Sequence, residues 1–237
     1  MLSVFRESLL ILMKWNENND NFIVLVKLFR IETKERIKKY DEQELTLILC
    51  FLVLKTKKVN YIVYDVEATC WQGNNNNQQE IIEIGAVKLN GYGEIDSSFN
   101  SFIRPIVNPR LSSFCTELTS ITQMDVNRAS KFPKVIEDFM EWIDIDDEDY
   151  LLCSWGDFDK KIMVADCILH DIDEDWVYEH IDVKRQYQEI RRIRQSRGLR
   201  RVVEKEGFEF TGEQHRAIDD AKNLTKVFMK YIDEWMF

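Results

Sequence analysis

The stretch YIVYDVEATCW, residues 61–71, decides the fold of this chain. Its first six residues are rich in β-branched and aromatic side chains, which predicts a strand. Alternate residues of a strand point to the same face, so Asp65 and Glu67 should stand side by side at its end, with Cα atoms roughly 6–7 Å apart. Two carboxylates at that distance repel each other unless a positive charge neutralises them. The pair therefore predicts a divalent cation site of the kind that suits Mg²⁺ or Mn²⁺.

The bulk composition limits the classes of protein to consider. The chain has 237 residues and a net charge of −10, enough for one α/β domain with an extension. Proteins that wrap long duplex nucleic acid are usually basic, so the acidity argues against that class, but not against holding a few nucleotides at a metal centre. Five scattered cysteines without a CxxC motif favour a reducing intracellular compartment, cytoplasmic or nuclear, and disfavour a zinc cluster.

Residues 1–58 differ from the rest of the chain. They hold 11 Lys and Arg against 8 Asp and Glu, a local charge of about +3. Their apolar run at 45–54 is too short to span a bilayer, and the first residues lack the features of a signal peptide. We expect a helical N-terminal extension over 1–58, of unassigned function, followed by the main domain over 59–237. A poorly ordered or spurious extension is the alternative.

The main domain is predicted to begin with three strands and to continue as helices around a fourth. Two strands at 81–89 and 98–103 follow the first, joined by a glycine-containing turn. Apolar spacing predicts a helix over 132–143, and a buried strand precedes the next helix. That strand is 150–154, and the other predicted helices are 113–117, 123–128, 157–169, 183–193, 199–206 and 216–235. This order is typical of an α/β domain whose sheet is covered on both faces.

Three more residues extend the candidate metal site. Asp159 follows the fourth strand, at the edge where α/β sheets place their ligand crevice; Asp157 is expected to cap the helix, which is the simpler role for either residue alone. Asp220 lies in the last helix and His215 at its entry, an arrangement that suits a metal ligand and a proton acceptor. On an unbroken helix Asp219 would face His215 instead. An acidic first turn stabilised by the helix dipole is the alternative for both acids.

Together these motifs resemble those of the DEDDh 3′-to-5′ exonucleases. The matching features are DxE at Asp65 and Glu67, an aromatic residue followed by Asp159, and H-x₄-D from His215 to Asp220. Longer blocks look like the Eri-type exoribonuclease branch; they are 65–71, 80–87, 111–123 and 215–223. The resemblance covers about residues 60–234, whereas residues 1–58 have no counterpart. It implies a ribonuclease H-like α/β fold, with a mixed five-stranded sheet flanked by helices, so that 59–237 would be an exonuclease domain.

The resemblance also implies a two-metal mechanism. Two Mg²⁺ ions, or Mn²⁺ in their place, would be held by Asp65, Glu67, Asp159 and Asp220 and would clamp the attacking and leaving oxygens. His215 would take a proton from the attacking water. The product would be a 5′-mononucleotide released from the 3′ end.

Substrate contacts are implied at two places. Backbone groups around Ala68 and Thr69 would meet the terminal sugar, and the loop that contains Leu118 and Thr119 would line the terminal nucleotide pocket. The implied partner is RNA with single-stranded 3′ ends. DNA is the alternative partner, no membrane contact is expected, and the oligomeric state is left open.

A basic stretch offers further phosphate contacts. Between residues 184 and 201 the only acid is Glu189, which makes a local positive patch on an acidic chain. For any one of these basic residues, a place on a solvent-exposed helix face without a binding role is the simpler interpretation. Its members are Lys184, Arg185, Arg191, Arg192, Arg194, Arg197, Arg200 and Arg201.

Three functions remain open at this point. The leading hypothesis is a 3′-to-5′ exoribonuclease, and a 3′-to-5′ DNA exonuclease would use the same residues. A non-catalytic module that keeps the fold and binds RNA or a protein is the third. Because all five catalytic positions are filled, the sequence favours an enzyme over the third.

Overall fold

The computed structural model describes residues 59–73, 77–146, 149–195 and 197–236. The expected extension over 1–58 lies outside the described residues. Most of the Asn-rich run after Gly73 lies outside them too.

Five strands form one mixed sheet in the order β3-β2-β1-β4-β5. β2 pairs antiparallel with both β1 and β3, whereas β4 pairs parallel with both β1 and β5. The strand that carries Asp65 and Glu67 therefore lies at the centre of the sheet. The strands are β1 Asn60–Ala68, β2 Ile81–Leu89, β3 Ile95–Phe102, β4 Tyr150–Ser154 and β5 His180–Asp182.

Helices cover both faces of this sheet. A 3₁₀ turn at Asp175–Val177 precedes β5. The α-helices of the described segments are α1 Ser113–Thr119, α2 Gln123–Arg128, α3 Phe132–Ile143, α4 Phe158–Leu169, α5 Val183–Ile190, α6 Leu199–Lys205 and α7 Ala217–Lys230. No helix in these segments is long and apolar enough to cross a membrane.

Four elements of the structure have the bounds that were predicted from the sequence. The predicted strands 81–89 and 150–154 and the helices 123–128 and 132–143 are confirmed without a change of bounds. The helix predicted over 183–193 is too long, because Arg192 has a left-handed backbone with φ 52°.

Other ends of elements differ as well. β3 begins at Ile95, three residues before its predicted start. The last helix ends at Lys230 rather than at residue 235. β5 was not predicted from the residue pattern, because a strand of three residues carries no detectable alternation.

Side chains of β1 alternate between two hydrophobic cores. Ile62, Tyr64 and Val66 pack in the core under α3 and α4. Val63 belongs to the core under α5, α6 and α7. Asp65 and Glu67 continue the Val63 side of the strand, because side chains alternate with a period of two. The two carboxylates therefore lie on the α7 side of the sheet, where β1 ends.

Gly85 of β2 allows α7 to press against the sheet. It pairs with Asp65 across the β1–β2 ladder. A Cβ atom at this position would lie 2.1 Å from the backbone nitrogen of Ile218, in the first turn of α7. Glycine is required here because no side chain fits between strand and helix. This contact sets the distance between α7 and the end of β1.

Glu206 joins α5, α6 and α7 through a buried carboxylate. Its side chain is 3% exposed, and it accepts hydrogen bonds from the hydroxyls of Tyr187 and Tyr231, both at 2.6 Å, and from Lys230 Nζ at 2.8 Å. Burial acts to raise the pKa of Glu206, but the hydrogen bonds from Lys230 and the two tyrosines outweigh it and hold the pKa at about 2. The ionised carboxylate therefore stabilises the fold.

Gly85→Ala should lower the free energy of unfolding by about 1–3 kcal/mol, because the new methyl group meets backbone rather than a movable side chain. Gly91→Ala is the matched control, since a Cβ atom there would lie 3.4 Å from its nearest neighbour, Val59 O. Urea unfolding measures both variants. Equal stability of the two would contradict the close approach of α7.

Glu206→Gln should lower the free energy of unfolding by about 1–3 kcal/mol at pH 7, because charge-assisted hydrogen bonds are lost. The folded pKa is depressed, so the stabilisation is present above the unfolded pKa of about 4.3 and is lost as the pH falls towards 2. The difference from the parent should therefore shrink between pH 5 and pH 3 in equilibrium unfolding. Glu204→Gln, at an exposed pair with Arg200, is the control. A difference that stays constant with pH would refute the assignment.

Candidate active site

Three carboxylates converge at the end of β1. Asp65, Glu67 and Asp220 each offer an oxygen, and these oxygens all lie within 4.8 Å of one another. Asp65 and Glu67 share one face of β1 because side chains alternate along a strand. Asp220 lies on α7, near the C-terminal end of the domain sequence. An all-oxygen donor set of this kind suits a hard divalent cation such as Mg²⁺ or Mn²⁺. The residues present therefore fit a metal centre.

Glu83 anchors the start of α7 above this cluster. Its carboxylate is fully buried and accepts two hydrogen bonds from the Arg216 guanidinium, at 2.9 and 3.1 Å. The Ala217 amide also donates to it at 3.1 Å, which pairs one of the free N–H groups that begin every helix. One side chain of β2 thus fixes both the position and the N-terminal hydrogen bonding of α7.

Glu83 also lies directly opposite Glu67 in the β1–β2 ladder. Like charges at such a pair destabilise a sheet, and Arg216 supplies the compensating charge. No role was predicted for Glu83 from the sequence. The available signal was an acid inside the mostly apolar strand of residues 81–89, since a buried charge requires a partner.

The two adjacent aspartates of α7 have different partners. Asp220 Oδ2 accepts a hydrogen bond from the His215 amide at 2.7 Å. Asp219 Oδ2 accepts from the Glu213 amide at 2.9 Å, and it packs so close to Gly212 that a Cβ atom there would overlap its carboxylate. Asp219 therefore holds the preceding turn, while Asp220 joins the carboxylate cluster.

His215 lies two residues before α7 begins. Its backbone is left-handed, with φ 65°, so the helical spacing that would bring Asp219 to face it does not apply. Burial lowers the pKa of its imidazole, which favours the neutral ring. Its Nε2 atom lies 3.4 Å from Gln214 Nε2.

Asp159 borders the cluster from the first turn of α4. It is 5% exposed, and its Oδ1 atom accepts a hydrogen bond from the Val66 amide, between Asp65 and Glu67, at 3.1 Å. The oxygens that lie within 4.8 Å of one another come from Asp65, Glu67 and Asp220, and this group does not include Asp159. Asp159 is thus held against β1 beside the other carboxylates.

Asp157 does not cap α4 as expected. It stands at the N-cap position, but its side chain makes no capping hydrogen bond. Instead its carboxylate pairs with Lys161 Nζ at 2.5 Å, one helical turn on. The αR backbone of Asp157, with φ −105° and ψ 0°, differs from the extended backbone of a capping residue, which explains the difference.

The electrostatics of the cluster are those of crowded acids. Burial, and then the charges of neighbouring acids, raise the pKa of Asp65 well above its usual range and that of Glu67 to about 8. Burial also raises the pKa of Asp159 and that of Asp220 to about 6, although the hydrogen bonds that each carboxylate accepts act to lower it. A divalent cation would relieve this repulsion.

The residues expected at the terminal nucleotide differ in their access to solvent. Ala68, Thr69 and Thr119 are buried, whereas Leu118 is 38% exposed. The Thr69 hydroxyl accepts from the Glu80 amide at 3.0 Å, and the Thr119 hydroxyl donates to Cys115 O at 2.9 Å. Their side chains thus serve internal hydrogen bonds, and Leu118 is the member of this set whose side chain faces solvent.

The rim of the site joins two loops. The Ser120 hydroxyl donates to the Glu213 carboxylate, so the loop after α1 contacts the segment that leads to His215. Ser120 has a left-handed backbone with φ 59° at the end of α1. This contact places Leu118 on the same side of the domain as the His215 segment.

Comparison with known proteins places the chain among nucleases. Residues 62–228 match the exonuclease family RNase_T. The human protein "3′-5′ exoribonuclease 1" is 30% identical over an alignment of 223 residues that covers 87% of this chain and 64% of the relative. "ERI1 exoribonuclease 2" of Danio rerio is 33% identical over 68% of this chain and 33% of the relative. The chain thus spans less than two thirds of the length of these relatives.

Solved structures agree with the sequence matches. The nuclease domain of 3′hExo, described as a DEDDh family member bound to rAMP, superposes with a TM-score of 0.70 at 30% identity, covering 76% of this chain and 94% of that one. A 3′-exonuclease described in the recognition of the histone mRNA stem-loop gives a TM-score of 0.69 at 28% identity, over 76% and 84%.

Exonuclease I of E. coli shares the fold alone, with a TM-score of 0.62 at 11% identity over 74% of this chain and 41% of that one. These matches confirm the ribonuclease H-like fold and the predicted resemblance to DEDDh nucleases, a family that uses divalent metals. With the fold, the carboxylate cluster and the match over residues 62–228 in agreement, this chain belongs to the RNase_T exonuclease family.

Proposed function

We propose that this protein is a metal-dependent 3′-to-5′ exoribonuclease that releases 5′-mononucleotides from single-stranded RNA or from 3′ overhangs. The observation that carries the proposal is the meeting of Asp65, Glu67 and Asp220 within 4.8 Å, on elements far apart in sequence. The names of the relatives, and the rAMP bound to the 3′hExo nuclease domain, support RNA as the substrate. The scattered cysteines favour action in a reducing intracellular compartment.

Asp65, Glu67, Asp159 and Asp220 would hold two Mg²⁺ ions, or Mn²⁺ in their place. The ions, when bound, supply Lewis-acid stabilisation of the charge on the attacking and leaving oxygens. Asp65 and Glu67 are fixed by the β1 ladder, and Asp220 by α7, so the carboxylates need little rearrangement. Asp159 is oriented by the Val66 amide.

His215 would take a proton from the attacking water while the water oxygen bonds to phosphorus. The bond from phosphorus to the 3′ oxygen of the preceding nucleotide then breaks, and that oxygen takes a proton from solvent. The products are a 5′-mononucleotide and an RNA shorter by one residue. The His215 amide donates to the Asp220 carboxylate, so the left-handed backbone of His215 lies beside the cluster, from where its imidazole would reach the attacking water.

Leu118 would pack against the base of the terminal nucleotide, since its apolar side chain is exposed in the last turn of α1 rather than on the loop predicted from the sequence. The backbone near Ala68 and Thr69 lies next to Glu67 and would face the terminal sugar. A 2′-hydroxyl contact there would favour RNA over DNA.

Asp65→Asn and Asp220→Asn should abolish turnover, because each removes a carboxylate that would hold the metal ions. Each should leave the fold intact, because it removes one charge from a crowded crevice. Asp219→Asn is the matched control: it sits beside Asp220, yet its carboxylate holds the Gly212 turn rather than the cluster. Turnover of a labelled RNA 12-mer and thermal unfolding in EDTA measure activity and fold separately. Loss of activity in Asp219→Asn with full activity in Asp220→Asn would overturn the assignment.

His215→Ala should lower kcat by roughly 10²–10⁴, the usual contribution of a general base, while binding of RNA in EDTA stays unchanged. Single-turnover kinetics measure the effect on the chemical step. A kcat equal to that of the parent would reject His215 as the proton acceptor.

Matched RNA, DNA and hairpin oligonucleotides test the substrate. We expect stepwise shortening of RNA from the 3′ end with Mg²⁺ and none in EDTA, with slower shortening of DNA. DNA digestion as fast as RNA digestion would favour a DNA exonuclease. Binding without digestion of any substrate would favour a non-catalytic module.

A further inference from the structure

A basic pocket lies beside the candidate active site. Its volume is about 340 Å³, and it is lined by Arg197, Gly198, Arg200, Arg201 and Gln214. All five residues are exposed. Three arginines line one depression, an arrangement that suits phosphate, because a guanidinium group is a planar fork of donors.

Two contacts tie this pocket to the reaction centre. Gln214 forms one wall, and its side-chain nitrogen lies 3.4 Å from His215 Nε2. On the other side, Trp155 Nε1 donates to Arg197 O at 3.2 Å. Trp155 follows the last residue of β4 and stands four residues before Asp159. The pocket is therefore held by the two segments that carry His215 and Asp159.

The structure divides the basic stretch of residues 184–201 into paired and unpaired members. Arg185 pairs with Glu189, Arg191 with Glu206, and Arg200 with Glu204. Arg197 and Arg201 form no ion pair with any residue that the structure describes. The unpaired charge of the pocket thus comes from these two side chains.

The unpaired positive charge of Arg197 and Arg201 would attract a negatively charged nucleic-acid strand. The chain carries a net charge of −10, and its reaction centre is a cluster of carboxylates, so a polyanionic strand is repelled except where positive charge meets its phosphates. Arg197 and Arg201 place such charge next to the His215 segment. Arg185 and Arg191 belong to the same basic stretch, but Arg185 pairs with Glu189, and Arg191 shares the Glu206 carboxylate with Lys230.

We infer that the pocket of Arg197, Arg200, Arg201 and Gln214 binds a backbone phosphate of the RNA strand on the 5′ side of the nucleotide being removed. The inference rests on the proposed exoribonuclease function. It adds a contact away from the scissile bond, which only substrates longer than the terminal nucleotides can make. Affinity should therefore rise with RNA length, and Arg197 and Arg201 should carry that rise.

The test is the affinity of an Arg197→Gln/Arg201→Gln variant for RNA, measured by fluorescence anisotropy in the uncleaving Asp65→Asn background with EDTA. For a 12-mer we expect roughly tenfold weaker binding than in the Asp65→Asn parent, and a salt dependence whose slope falls by about 0.7–1.4, as for one or two lost phosphate contacts on a single strand. The loss should shrink as the RNA is shortened to a dinucleotide. Arg185→Gln, at a paired arginine of the same stretch, is the matched control and should bind like the parent.

Unchanged affinity and slope in the double variant would overturn the inference, as would an equal loss for the dinucleotide and the 12-mer. Thermal unfolding checks that the double variant is folded. Failure of the proposed function is a separate result, because it is seen as absence of RNA shortening by the unsubstituted protein with Mg²⁺, whereas the binding measurement requires no turnover.

Discussion

The buried carboxylate of Glu83 is the interaction on which the rest of the site depends. It binds Arg216 through two hydrogen bonds and caps the first amide of α7. Two residues along β2, the missing side chain of Gly85 lets the same helix turn touch the strand. The ion pair of Glu83 with Arg216 and the absence of a side chain at Gly85 therefore both fix the N-terminal end of α7 against the sheet. Together they bring Asp220 to the end of β1, where it meets the two acids of the central strand.

Carboxylates of one chain are used here in opposite ways. Glu206 is surrounded by a lysine and two tyrosine hydroxyls, and its pKa is held at about 2. Glu67 is surrounded by other acids, and burial together with their charge raises its pKa to about 8. The first environment stabilises the ionised acid and joins three helices. The second disfavours the ionised acid until a positive charge enters, which is the property of a site that receives a cation.

Regular elements were predictable from the sequence, and short or packed features were not. The strand 81–89 is a continuous, mostly apolar run, and the helix 132–143 is long enough for its helical period to show. β5 is three residues long and exists because it pairs with β4. Asp157 was expected to cap α4, but its backbone angles and the nearby Lys161 decide otherwise. Local pattern predicts where an element forms, whereas its ends depend on contacts from elsewhere.

The sequence by itself determined the strand that carries Asp65 and Glu67 and the fact that both point to one face, because a spacing of two is a local property of a strand. It also determined the candidates at the start of the last helix. Residue spacing left the choice between Asp219 and Asp220 open, and the family resemblance favoured Asp220. Only the tertiary structure shows Asp220 in the cluster, since the left-handed backbone of His215 and the ion pair of Glu83 with Arg216 set which of the two reaches it. It likewise decided which arginines of the basic stretch keep an unpaired charge. Both outcomes depend on partners distant along the chain, and no local pattern encodes the distance between two segments that meet only through packing.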